Sequence, residues 1–235
     1  MRYHYIFSGL GLAAMMTIIK MIDANLLQNK KILIIEPDSK DTNDRTWCFW
    51  EAPAGNWDSI VSHSWSEAFF LSDNQKVNCL KSDLYKMIES KSFYEFFKQK
   101  ITGVDVVWVK EKLVAFNFIK NEVLVVTSSN HYQGEYLINS VYDLDQIKKQ
   151  KKYPLLQQHF VGWFIKTNQP IFDPNQSFFM DFTVEQKSNT RFMYVLPTTA
   201  NLALIEYTLF SPELLDLEEY EDEIKKYISN LGIDS

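Results

Sequence analysis

Glycine is scarce in this chain, seven residues in 235 against an average near 7%. Cysteine is scarcer still. Cys48 and Cys79 give neither a disulfide framework nor a metal spacing, which fits a reducing cytoplasm. The four histidines (His4, His63, His131 and His159) are dispersed, so no zinc site is expected. Positive charge is not in excess: 24 Lys and Arg face 30 Asp and Glu. The net charge of -6 argues against nucleic-acid binding. No apolar run is long enough to cross a bilayer. The N-terminal one, residues 7–19, is broken by Lys20 and Asp23. Only Arg2 precedes it, so it does not read as a secretory signal. Internal repeats and low-complexity segments are absent.

Aromatic residues are abundant: 17 Phe, 12 Tyr and 6 Trp make up 15% of the chain. Such an excess serves an aromatic core or a large apolar cavity, and composition does not choose between them. The length allows one domain or two interleaved ones. Two of the seven glycines stand one residue apart in Gly9-Leu10-Gly11-Leu12-Ala13-Ala14. A short apolar run precedes this turn, a long apolar helix follows, and a second run, Lys31-Ile32-Leu33-Ile34-Ile35, ends in Glu36. That is the dinucleotide-binding βαβ unit. Gly9 permits the tight turn, Gly11 lets the backbone approach a pyrophosphate, and Ala14 keeps helix and strand close. The helix N-terminus offers N–H groups and a positive dipole end to phosphates. Glu36 stands where an acid holds a ribose hydroxyl.

Next comes Asn43-Asp44-Arg45-Thr46-Trp47-Cys48-Phe49-Trp50-Glu51. Taken alone, this reads as an aromatic wedge packed against the core. Short strands are expected at 68–71 and 76–79, and Ser82 is expected to cap a helix from 83 to about 100. Residues 104–139 switch to a β pattern, with strands at 104–109, 113–118, 123–126 and 136–139. The basic run 148–152 reads as a surface linker, with contact to anionic lipid heads as the alternative. Four strand-like runs at 159–167, 177–183, 191–197 and 202–210 predict an antiparallel sheet. Ser211 and Pro212 are expected to open a helix whose apolar stripe is Leu217, Tyr220, Ile224, Tyr227, Ile228 and Leu231. The acids of 218–223 are expected on its wet face.

The stretch Asn43 to Glu51, following a Gly-x-Gly-x-x-Ala unit, closely resembles the signature of the lycopene β-cyclases. Three later stretches resemble the same family. They are Gln158-His159-Phe160-Val161-Gly162-Trp163, Met180-Asp181-Phe182, and Arg191-Phe192-Met193-Tyr194-Val195-Leu196-Pro197 leading into Leu204-Ile205-Glu206-Tyr207-Thr208. The resemblance spans the chain. It implies an α/β fold: a Rossmann-like FAD/NAD(P)-binding βαβ domain with an inserted β-meander, and an antiparallel-sheet substrate domain. The expected boundaries are 1–147 for the nucleotide-binding half, 148–212 for the substrate half, and 213–235 for a helix beginning a return to the first half. Gly9, Gly11, Ala14, Glu36 and Arg45 are the expected cofactor-binding set. The implied cofactor is FAD, kept reduced by NAD(P)H, in a reaction without net redox change.

Glu206 is the expected catalytic acid, because its strand matches one whose first acid is taken as essential in the family. Read without the resemblance, Glu206 is an acid within an otherwise uncharged strand, sharing a face with Leu204 and Thr208. Such a carboxyl is either desolvated and raised in pKa, or an edge-strand acid facing water. Asp181 is the second candidate, with a hydrogen-bonded structural acid as the alternative. Two departures from the family stand out. Trp163 and Phe164 follow Val161-Gly162 where many bacterial members carry an acid, and Tyr207 replaces the strand's second acid.

The implied reaction is the acid-initiated cyclisation of the ψ-ends of lycopene, or another linear carotene, to β-rings. The alternatives are a flavin-dependent oxidoreductase of the geranylgeranyl reductase or hydroxylase type, and an inactive partial chain. A hydrocarbon substrate implies a cytoplasmic protein peripherally attached to the inner face of a membrane. The family's chains continue well past the point matching Ser235, so the expectation is that these 235 residues are truncated and inactive alone. The oligomeric state is left open.

Overall fold

The computed structural model describes residues 2–233. Backbone contacts divide the chain into two compact units. One holds the residues up to Arg45 together with 89–149, the other 46–88 together with those from Gln150 on. The second unit thus takes in 46–88, which the expected boundaries gave to the first half. The cause is strand pairing: β5 (Glu67–Ser72) runs parallel to and pairs with β13 (Gln176–Asp181).

In the first unit, β1 (Arg2–Ser8) lies between β2 (Lys31–Ile35) and β11 (His131–Asn139) and is parallel to both. The full order is β8 (Asp105–Val109), β2, β1, β11, β10 (Glu122–Thr127), β9 (Leu113–Ile119). Ile6 and Phe7 on β1 and residues 32–35 on β2 are fully buried. Near-continuous apolar runs of this kind suit parallel strands covered on both faces. The helix between them, α1 (Leu12–Asp23), buries Ala14, Met15, Ile18 and Ile19. Strands β9, β10 and β11 form the expected antiparallel meander.

The segment expected to be one helix from residue 83 is a strand followed by a helix: β7 (Leu84–Glu89), then α2 (Ser90–Lys100). Leu84, Met87 and Ile88 have helical spacing, but over so short an apolar run spacing does not separate helix from strand. Tertiary contacts do. Tyr85 and Met87 pack with Trp65 and Ala68, while the Lys86 ammonium is drawn to the other face by carboxylates.

The second unit is layered. Its large sheet has the order β12 (Gln157–Lys166), β15 (Leu202–Ser211), β14 (Thr190–Thr199), β13, β5, β6 (Gln75–Asn78). One face carries α4 (Leu217–Asn230), whose Tyr220, Ile224, Tyr227 and Ile228 pack on Met193, Val195, Ile205, Tyr207 and Leu209. This helix starts later than expected, because Ser211 still belongs to β15 and Asp216 is the residue before the first turn. Its acids are not all wet: Glu223 is buried and takes a 2.7 Å hydrogen bond from Lys187. The opposite face packs on a small sheet, β3 (Thr46–Glu51), β7, β4 (His63–Trp65), through Trp65, Tyr85, Leu196 and Leu204.

Candidate active site

The expected nucleotide-binding residues of the first unit gather at the turn after β1. Gly9 has φ +82°, a left-handed conformation that favours glycine, and its N–H donates to the Ile35 carbonyl at 2.9 Å. A side chain there would also press on Ser140. Gly11 differs. Its φ is -79°, and a Cβ built on it meets nothing within 4 Å. It stands before the first turn of α1, which has no side-chain cap, so open space and backbone donors coincide at the helix N-terminus. Glu36 is buried and held by two backbone donors, Leu10 N–H at 2.8 Å and Asp38 N–H at 3.0 Å. A carboxylate has about four acceptor positions, so some remain for ribose hydroxyls. These residues fit a dinucleotide. Arg45 is fixed through its backbone, which exchanges hydrogen bonds with Ser90, while its guanidinium is exposed beside Asp44. Asp44 accepts from Tyr94 and Ser90. Burial works to raise its pKa, but these hydrogen bonds outweigh burial and lower it.

The second unit holds the acid. Strand β15 alternates as expected: Leu204, Glu206 and Thr208 face a cavity of about 280 Å³, while Ile205, Tyr207 and Leu209 face α4. Cys48 of β3, Tyr85 of β7, Phe179 of β13 and Tyr194 of β14 line the cavity with them. Glu206 makes no hydrogen bond among the described residues. Burial alone pushes its carboxyl from 4.5 up to about 7. Two hydroxyls of the lining are engaged with each other, Tyr85 and Tyr194 lying 2.5 Å apart, oxygen to oxygen. Burial raises both phenols and takes the Cys48 thiol up to about 11, so all three stay neutral at physiological pH. Aromatic rings share the cavity lining with Glu206 and pack on one another edge-on. Phe179 meets Trp50 at 4.9 Å, Tyr85 at 5.7 Å and Tyr194 at 6.2 Å between centroids. The wedge formed by Trp50 is thus part of the cavity's surroundings. Its chain is fastened by Lys86, whose buried ammonium donates to Glu51 at 3.0 Å, Asp58 at 2.6 Å and the Pro53 carbonyl at 3.2 Å.

The two expected acids are not brought together. Asp181 is buried and accepts from Thr183 N–H at 3.0 Å, the Thr183 hydroxyl at 2.7 Å and the Tyr227 hydroxyl of α4 at 2.6 Å. It borders a separate cavity of about 500 Å³ beside α4. That cavity is the larger, but its buried acids are already bonded. Tyr207, in the place of the family's second acid, also faces α4, where Arg191 donates to its hydroxyl at 3.1 Å. An acid at that position would therefore lie on the far face from Glu206. Sequence reading gave no role to Cys48, Tyr85 or Tyr194. Cys48 and Tyr194 lie inside quoted motifs, but Tyr85 had no signal, since its segment reads as helix.

A sequence profile of the family described as lycopene cyclase protein matches residues 6–235. The chain belongs to the lycopene cyclase family. No protein of curated function matches it in sequence. Among solved structures, the chain is similar to a geranylgeranyl bacteriochlorophyll reductase-like protein from Thermoplasma acidophilum, with TM-score 0.67 and 13% identity. The match covers 97% of this chain and 62% of that one. It is also similar to the halogenase PltM in complex with phloroglucinol and FAD, with TM-score 0.65, 10% identity and coverage of 98% and 57%. A flavoprotein/dehydrogenase from Cytophaga hutchinsonii gives TM-score 0.62, 12% identity and coverage of 99% and 62%. The lycopene cyclase family chain therefore has the Rossmann-like fold of FAD-binding flavoproteins, and it spans less than two thirds of the length of these structures.

Proposed function

We propose that the chain carries the acid and the cofactor turn of a lycopene β-cyclase. Glu206 supports this reading most directly: an acid without a hydrogen-bond partner, its pKa raised to about 7 by burial, among aromatic faces. At neutral pH a large share of such a group is protonated, and an alkene, a weak base, needs an acid screened from water. Glu206 gives a proton to C2 of the terminal C1=C2 bond, leaving a tertiary cation at C1. The C5=C6 bond closes on C1, the charge moves to C5, and loss of the C6 proton completes the ring. The faces of Phe179, Tyr85 and Tyr194 attract the cation without forming a bond to it. The two tyrosine hydroxyls are occupied with each other.

Gly9, Gly11, Ala14 and Glu36 would hold FAD at the N-terminus of α1. Bound and kept reduced by NAD(P)H, that cofactor would supply electron density that favours a cation. The cavity takes one end of a C40 chain. Phe160 and Phe164 of β12, 56% and 71% exposed, extend apolar surface beyond it. A linear carotene is reached from a membrane, so we assign the chain a peripheral attachment at the inner face. The Lys148 to Lys152 run and the exposed Tyr153, Leu155 and Leu156 after it support this. No helix among the described residues is long and apolar enough to cross a membrane. The test is expression of the full-length protein in lycopene-accumulating cells. γ- or β-carotene should appear with Glu206 and disappear with Glu206→Gln. A product of changed mass would mark a redox enzyme instead.

A further inference from the structure

Gly162 sits near the middle of β12, a ten-residue strand, and its φ lies outside the left-handed range, so its backbone does not require glycine. Glycine inside a strand marks a close approach. Here the close approach is Glu206, its register partner on β15. A Cβ on residue 162 would lie 2.6 Å from Glu206 Cγ, 3.4 Å from its Cδ and 3.3 Å from Leu204 Cδ1. The acid's side chain is thus folded over the glycine, in the volume a side chain would fill. On its other flank Glu206 pairs with Tyr194, whose hydroxyl is committed to Tyr85.

We propose that Gly162 is the positioning residue of the acid: its missing side chain is the slot that keeps the Glu206 carboxyl away from the cavity's hydrogen-bond donors. The inference rests on the reading of Glu206 as the acid. The other titratable groups facing it are Cys48 of β3, Tyr85 of β7 and Tyr194 of β14. No cation lines the cavity among the described residues. With a methyl group in the slot, the carboxyl must turn toward the tyrosine hydroxyls or toward water. Either environment favours the charged form, so the direction of the change is fixed. The acid becomes more readily ionised and less able to protonate an alkene at neutral pH.

The test is a carboxyl titration by carbon NMR on glutamate-labelled protein, with Glu206→Gln used to assign the signal. In Gly162→Ala the Glu206 pKa should fall from about 7 by roughly one unit or more, and the descending limb of the pH–activity profile should move with it. An unchanged pKa in a folded variant overturns the proposal. If Gly162→Ala is too unstable to titrate, a melting-temperature cycle with Glu206→Ala decides. The loss caused by Gly162→Ala should shrink when Glu206 has no Cγ. An equal loss in both backgrounds overturns the proposal. Cyclisation by Glu206→Gln would instead sink the acid's role and leave the titration result standing.

Discussion

Glu206 owes its acidity to where β15 lies. The strand is flanked on both sides, by β12 and β14, and the small sheet covers part of the cavity face, so burial raises the carboxyl from 4.5 to about 7 with no partner to offset it. Turnover should therefore fall as pH rises through about 7. The same shift enters stability. A folded pKa above the unfolded one contributes stability that is fully present below about pH 4.5 and lost as pH rises through about 7. The loss is up to about 3 kcal/mol for a shift of this size. Glu206→Gln carries no such charge, so its melting temperature relative to wild type should improve between pH 5 and pH 9; parallel curves would contradict the shift. Asp181 is the opposite case, an acid with three donors on the α4 side. Asp181→Asn should lower the melting temperature, disturbing hydrogen bonds worth about 1 kcal/mol each, and retain cyclisation. Lost turnover at an unchanged melting temperature would return Asp181 to the chemistry.

At the scale of elements, the turn between β1 and α1 separates function from stability. Gly11→Val has neither backbone strain nor a neighbour to strike, so without flavin its melting temperature should match that of flavin-free wild type, while FAD retention on purification is lost. Flavin at wild-type stoichiometry would contradict the assigned cradle. This turn was legible in the sequence because a glycine pair, two apolar runs and Glu36 depend only on local spacing. The faces of β15 were legible for the same reason, since period two placed Glu206 with Leu204 and Thr208. Residues 84–89 were not: Leu84, Met87 and Ile88 have helical spacing in a run too short to decide, and it becomes a strand through Trp65, Glu51 and Asp58, which are distant in sequence. Tyr85 was missed with it. Gly162 was visible within a motif, yet its purpose needs the register with Glu206, which only strand pairing supplies.

At the scale of the whole molecule, a family match over residues 6–235 and a flavoprotein fold stand beside a proposed substrate, a linear carotene, that dissolves in lipid. Binding to anionic vesicles should follow the Lys148 to Lys152 run. Replacing its four lysines with glutamine should weaken co-sedimentation, at about 1 kcal/mol per lysine near the surface, and high salt should do the same. Binding that ignores both would place the contact elsewhere. The central claim is that a proton from the medium, passed through Glu206, closes the ring without net redox change. Its most direct measurement is the mass of the carotenoid formed from lycopene in deuterated water. The account predicts a product isomeric with lycopene that carries one deuterium for each β-ring, and no product from Glu206→Gln. A product heavier by two hydrogens or by one oxygen, or a ring formed without deuterium, would contradict it.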